Sequence, residues 1–298
     1  MLNFLPTPII ILLSLSLYFI NTLVWLVPIL IFSLLKALVP FAPWQKLMSY
    51  LLDAMASNWV AVNTFNQQLF TPVKFHVTGL EKLTMNDWYL VVSNHQSWVD
   101  ILVLQRVLHG KIPFLKFFLK KELIYVPFLG LAWWALDFPF MKRFSREFLA
   151  KNPHLKGQDI ETTRRACEKF KHKPVSVMNF LEGTRFTPAK HNKQQSNFQY
   201  LLKPKAGGVA FVLDAMREHL TTIVDVTIYY PQGIPTFIDF VSGKVTDVYV
   251  DIQTIPIDEK IIGDYFNDAD YKEKFQQWVN QLWCDKDETL NQFRQNKE

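Results

Sequence analysis

A histidine and an aspartate five positions apart, His95 and Asp100, stand in the polar stretch Ser93-Asn94-His95-Gln96-Ser97-Trp98-Val99-Asp100, directly after the apolar run WYLVVS. On an ideal helix five positions are about 140° apart, so the two share a face only if His95 lies in a loop and Asp100 in the first turn of the next helix. Ser97 would then cap that helix. So placed, the carboxylate fixes the imidazole tautomer and favours the imidazolium, as a general base that takes a proton from a hydroxyl requires. Such a base is worth about 10²- to 10⁴-fold in rate. The same spacing has a plainer use, because Ser97-x-x-Asp100 also reads as a helix capping box that leaves His95 a loop residue.

A second cluster, Phe180-Leu181-Glu182-Gly183-Thr184-Arg185-Phe186, again comes after an apolar run. Gly183 lets backbone amides approach a ligand, Thr184 supplies a hydroxyl, and Arg185 presents a planar fork suited to phosphate. The competing reading is a turn closed by a Glu182–Arg185 charge pair. Two more basic places are Lys142 with Arg143, and Lys203-Pro204-Lys205 ahead of Gly207 and Gly208, where a helix start could cradle phosphate.

Other chemistries find less support. Cys167 and Cys284 are the two cysteines, with no C-x-x-C, so neither a disulfide framework nor a cysteine-based zinc site is indicated. Neither G-x-S-x-G nor H-E-x-x-H occurs, which removes the usual signatures of serine and zinc hydrolases. No metal and no tightly bound cofactor is expected.

The clusters need strands to carry them. Residues 88–93, 175–180 and 223–230 have the β-branched and aromatic bias of buried strands, and helical patterns at 98–109, 161–172 and 206–217 alternate with them. The expectation is an α/β fold with a mixed, partly parallel sheet flanked by helices, its site in the loops leaving the strand ends. A polar helix-like stretch covers 44–68, and an acidic helix within 258–298 carries Trp278, Leu282 and Trp283. Between 114 and 138, Phe114, Phe117, Phe118, Phe128, Trp133 and Trp134 are interspersed with Lys116, Lys120 and Lys121. Such a stretch suits either a lipid-facing surface or ordinary core.

The chain begins differently. No charged residue precedes Lys36, and residues 8–35 form an apolar run longer than the roughly 20 residues that span a bilayer. With no basic start and too long an apolar stretch for a cleavable signal, it reads as an uncleaved anchor. As one helix, the first 35 residues would measure about 50 Å against a ~30 Å hydrocarbon core. Asn21 and Pro28 are candidate bends. Two short helices in one leaflet therefore compete with a single tilted span followed by an interfacial helix. The domain expectation is an anchor at 1–40 and a catalytic domain at 41–298, with Lys36 and Lys46 placing the latter in the cytoplasm.

Net charge is +5, but unevenly spread: residues 141–217 hold 16 Lys and Arg against 6 Asp and Glu, whereas 218–298 hold 7 against 15. An anionic partner should meet the middle of the chain. A membrane-tethered nucleic-acid-binding or regulatory protein is the non-enzymatic alternative, yet no nucleic-acid motif is present and no nucleic acid is expected as partner.

The H-x4-D loop and the F-x-E-G-T-R loop, with a basic segment between and an apolar anchor before, resemble the glycerophospholipid acyltransferase superfamily. The match looks closest to the 1-acylglycerol-3-phosphate (lysophosphatidic acid) acyltransferases. The resemblance implies that His95 is the base and Asp100 its orienting partner. It also implies that Glu182, Gly183, Thr184 and Arg185 bind the acceptor's phosphate, and that Arg143 is a second phosphate contact. It further implies a lysophospholipid acceptor from the membrane and acyl-CoA or acyl-ACP (acyl carrier protein) as co-substrate. Leu181 stands where the family usually has proline, and residues 223–228 replace its proline-containing fourth block. With the segment WWALDFPFMKR, these departures look closer to the branch of lysophospholipid and lysocardiolipin acyltransferases.

Overall fold

The computed structural model describes residues 4–141, 167–168, 170, 173–258 and 261–295. The chain opens with two long helices, α1 (Thr7–Leu38) and α2 (Ala42–Phe70), packed as a hairpin. Of the two expected arrangements for the first 35 residues, two short helices are not formed. α1 runs unbroken through Pro28, and Asn21 bonds across to α2 instead of bending α1. Its Nδ2 donates to Asn63 Oδ1 at 2.8 Å and to the Trp59 carbonyl at 3.0 Å, and one stretch earlier Ser14 and Asn66 exchange two bonds. An amide in an apolar helix costs free energy unless paired, so these bonds fix the register of the hairpin.

The other face of α1 is bare: Leu12, Phe19, Val24, Val27, Ile31 and Leu34 are all exposed. α1 is the one described helix long and apolar enough to cross a membrane. Helix α4 (Leu129–Ala135) touches α1 and adds exposed Leu131 and Trp134, with Phe128 edge-on to Phe19 at 6.0 Å. The aromatic stretch thus divides between surface and core. Phe117 is buried, and Lys116 is buried beside it. Its Nζ donates to the Leu136 carbonyl at 2.7 Å and faces Asp53, on a short strand buried at each of its three positions. Lys120 and Lys121 stay exposed.

Beyond the hairpin lie β1 (Lys74–Thr78), β2 (Trp88–Ser93), α3 (Val99–Leu108), β3 (Leu115–Phe117), β4 (Leu119–Lys120) and, after α4, β5 (Phe140–Met141). Then come β6 (Ser176–Phe180), α5 (Pro188–Gln194), α6 (Ala206–Ala215), β7 (Leu220–Tyr229), α7 (Phe237–Val241), β8 (Asp247–Pro256) and α8 (Ala269–Gln295). The six-stranded sheet runs β1-β8-β7-β2-β6-β3. β7, β2, β6 and β3 are mutually parallel, while β8 pairs antiparallel with β7 and parallel with β1. The mixed, partly parallel sheet is as the sequence suggested; β1, β3 and β8 were not anticipated. β8 alternates, with Val248, Val250 and Ile252 buried, and β1 alternates over its five residues, whereas β3 is only three residues long.

β2 divides the core in two. Tyr89 and Val91 point to the side of α2 and α3, and Leu90 and Val92 to the side of α6 and α8. β2, buried on both faces, has no polar side chain until Ser93 at its end, and chemistry collects where the strand ends. The expected helix at 161–172 lies largely outside the described residues.

Candidate active site at the ends of β2 and β6

β2 and β6 are parallel neighbours in a register that sets Ser93 opposite Phe180. Two residues past that rung lie His95 on one chain segment and Glu182 on the other, so a single pairing brings together residues 87 positions apart. The His95 backbone N–H donates to Glu182 Oε1 at 3.0 Å, and its carbonyl accepts from the Phe186 N–H at 2.7 Å. The imidazole stacks on the Phe180 ring at 3.8 Å and 11°. The H-x4-D and E-G-T-R loops are therefore one corner.

His95 sits in the loop and Asp100 in the first turn of α3, as anticipated. Asp100, fully buried, takes bonds from four groups. Oδ2 lies 2.8 Å from His95 Nδ1 and accepts the N–H of Gln96 at 2.6 Å and of Ser97 at 2.8 Å, while Oδ1 accepts the Tyr230 hydroxyl at 2.7 Å. Asp100 Oδ2 already accepts two amide protons and so faces the ring as an acceptor. Nδ1 is therefore the protonated nitrogen, and Nε2 carries the lone pair. Burial and the neighbouring Asp100 push the Tyr230 phenol well above its ordinary value, so it stays a donor.

The capping reading holds in part. Asp100 accepts the Ser97 N–H, but the Ser97 hydroxyl donates to the Pro235 carbonyl and accepts from Val99 N. One carboxylate thus both closes the helix start and holds the ring, and the two readings of Asp100 are not exclusive. Asn94 completes the frame: its side-chain amide exchanges two 2.9 Å bonds with the Ile228 backbone, extending the β2–β7 ladder past the last strand residue.

Glu182 is fully buried and is no partner for Arg185. Oε1 faces His95 N and Oε2 accepts the Leu202 N–H at 3.3 Å, so the charge-pair reading of the turn fails. Burial pushes this carboxyl up to about 8, against the pull of its two N–H donors. Gly183, at φ +67°, turns the chain where a side chain would be strained. Thr184 and Arg185 then come to the surface, with the Arg185 guanidinium over the exposed Trp98 ring at 4.9 Å. Lys190, on α5, donates to Thr184 Oγ1 at 2.8 Å and to the Arg185 carbonyl at 2.9 Å.

The Lys203-Pro204-Lys205 segment adjoins this corner through the Lys205 N–H, which donates to the Leu181 carbonyl. Gly208 serves packing: a Cβ there would come within 2.9 Å of Asn179 Nδ2 on β6. Lys142 and Arg143 lie outside the described residues. Among the described residues no group of three or more His, Cys, Asp or Glu is placed to hold a metal ion.

Sequence reasoning missed Tyr230, Asn94, Phe180, Trp98 and Lys190. Tyr230 and Asn94 come directly after strand ends, which is a usable signal. Nothing in the sequence announces a lysine six positions past Thr184.

Helix α8 braces both sides of the corner from behind. Trp283 Nε1 donates to the Leu202 carbonyl at 3.1 Å. Lys286, fully buried, bonds Asp225 at 2.7 Å, the Val226 carbonyl at 2.8 Å and Thr227 at 3.0 Å on β7.

Residues 74–231 match the family model described as Acyltransferase. The chain is 24% identical over 285 residues to lysocardiolipin acyltransferase 1 of Gallus gallus, across 88% of this chain and 69% of that protein. It is 25% identical over 213 residues to 1-acyl-sn-glycerol-3-phosphate acyltransferase gamma of Homo sapiens, across 66% of this chain and 51% of that protein. It therefore spans about half the length of the latter. In fold it resembles the crystal structure of the 1-acyl-sn-glycerophosphate (LPA) acyltransferase PlsC of Thermotoga maritima. That likeness has a TM-score of 0.50 and 19% identity, and covers 96% of this chain and 98% of that one.

Proposed function

This chain belongs to the acyltransferase family, that of the glycerophospholipid acyltransferases, and from that premise we propose that it moves a fatty acyl group from an acyl thioester to the free hydroxyl of 1-acylglycerol-3-phosphate, giving phosphatidic acid. The observation that carries the reading is the imidazole of His95, bonded through Nδ1 to an Asp100 already saturated with donors. Nε2 of His95 accepts the proton of the acceptor hydroxyl as that oxygen attacks the thioester carbonyl. The carbon–sulfur bond then breaks, and the imidazolium returns the proton to the departing thiolate. The charge that develops on the ring is balanced by Asp100, buried and unable to move away.

Arg185, with Gly183 and Thr184 on the turn that Glu182 anchors, holds the acceptor's phosphate, and Arg143 is its second contact. Tethering the phosphate turns the hydroxyl toward His95 and makes the attack effectively intramolecular. The donor is acyl-CoA or acyl-ACP. The bare face of α1 and the exposed rings of α4 fit a membrane surface as the source of the lipid, and Lys36 and Lys46 support a cytoplasmic catalytic domain. The anchor is residues 1–40 and the catalytic domain 41–298.

A second acceptor is favoured by the alignment with lysocardiolipin acyltransferase 1, which extends over 88% of this chain. Purified protein offered a mixed set of lysophospholipids with acyl-CoA or acyl-ACP, its products read by mass spectrometry, decides between them. Phosphatidic acid as main product supports the first reading; acylation of lysocardiolipin alone replaces it; thioester hydrolysis without transfer removes both.

A further inference from the structure

The sequence singles out one cation on the turn after β6, yet two are fixed there. Arg185 is exposed and laid across Trp98, three residues past His95 on the adjoining loop. Lys190 is drawn back over the turn by its bonds to Thr184 Oγ1 and to the Arg185 carbonyl. Among the described residues neither has a carboxylate partner, and the one acid in the turn, Glu182, spends both oxygens on buried backbone N–H groups. Two like charges held on one turn without a counter-ion repel each other unless an anion joins them.

The donors can be counted. An ammonium has three N–H groups, and Lys190 uses two on the protein. The Thr184 hydroxyl accepts from Lys190, which leaves its own hydrogen to donate. Arg185 offers its fork. Three side chains on one turn therefore keep donors for one ligand. A terminal phosphate carries three non-ester oxygens and close to two charges, whereas a phosphodiester carries two such oxygens and one charge.

We infer that Lys190 is a second phosphate-binding cation, and that through it the turn prefers an acceptor with a terminal phosphomonoester over a phosphodiester lysophospholipid. The inference rests on the acyl-transfer reading above and adds the residue that reads the headgroup. An ammonium tethered to Thr184 Oγ1 and the Arg185 carbonyl cannot reach far, so a group that takes its third N–H must come to this turn.

The test is steady-state kinetics on the full chain with 1-acylglycerol-3-phosphate and with lysophosphatidylglycerol of the same acyl chain, for the wild type, Lys190→Met and Lys190→Arg. Loss of one charge-assisted bond should raise the KM for the phosphomonoester about tenfold in Lys190→Met, and the KM for the phosphodiester by less than about threefold. Lys190→Arg, which keeps the charge, should recover most of the loss. An equal rise for both acceptors would show that Lys190 only clamps the loop, and would overturn the inference. A wild type that prefers lysophosphatidylglycerol would overturn it too while leaving acyl transfer standing. A wild type that acylates neither would remove the acyl-transfer reading and the inference together.

Discussion

Past the end of β2, Asp100 is fully buried with both oxygens occupied, and the His95 side chain keeps 13% exposure. Past the end of β6, one residue of the turn is sealed in the same way, but Arg185, three positions later, lies on the surface against a ring. The two loops leave adjacent strands at the same rung and are built for different tasks. A group that must take a proton in one orientation gains from being over-determined, because misplacement costs rate directly. A group that must meet a lipid headgroup has to stay reachable, and a flat guanidinium stacked on Trp98 is steadied without being enclosed. Rigidity in the first loop and access in the second predict opposite kinetic signatures.

Replacing His95 with Ala should have the largest effect, a fall in kcat toward the upper end of about 10²- to 10⁴-fold, with the fold and membrane association retained. Turnover near the wild-type rate would take the base out of this loop. Asp100→Asn keeps an oxygen for the two amide protons and for Nδ1, and Tyr230 can turn its hydroxyl to accept. The tautomer survives while the charge is lost. kcat should then fall about 10²-fold with little change in either KM, and a KM effect instead would mean that the loop had moved.

Arg185→Ala should show the reverse pattern: KM for the acceptor rising roughly 10- to 100-fold, with kcat at saturation less affected and the KM for the thioester unchanged. If kcat falls instead, the contrast between the two loops disappears.

Glu182 gives the smallest effect, read in stability. Its carboxyl is held up to about 8 by burial, so the native chain keeps a proton that the unfolded chain has released. Native stability should therefore decline as pH rises from the unfolded value of about 4.5 toward 8. Glu182→Gln abolishes that titration, and its melting temperature should vary less over the interval than the wild type's. An equal slope in both proteins would assign the pH dependence to other groups.

Both loops could be found in the sequence because buried strands are apolar and the loops that leave them are polar. The runs ending at Ser93 and Phe180 mark their own ends. The uncharged start of the chain was as plain, since no soluble helix goes without a polar face. Asn21 shows where such reading stops. In sequence it is a candidate bend; in the fold it is the bond between α1 and α2, because its partners at 59 and 63 are identified only once the helices pack. Lys116 likewise differs from Lys120 and Lys121 only in the fold: it lies on a strand buried throughout, whereas the other two lie where the chain stays exposed.

By itself the sequence determined the parts: an apolar segment too long and too uncharged for water, short runs rich in apolar and β-branched residues, and a histidine, an aspartate and an arginine just past the ends of two of them. Those are properties of composition and short spacing, which hydrophobic burial and local geometry read directly. Tertiary structure alone decided that the two ends are neighbours, through the β2–β6 register. It alone sent Glu182 inward to His95 rather than across to Arg185, and it brought Tyr230 from the end of β7 to complete Asp100. The reason is that a hydrogen bond between residues 87 or 130 positions apart has no local cause; it exists only when the sheet has closed the distance.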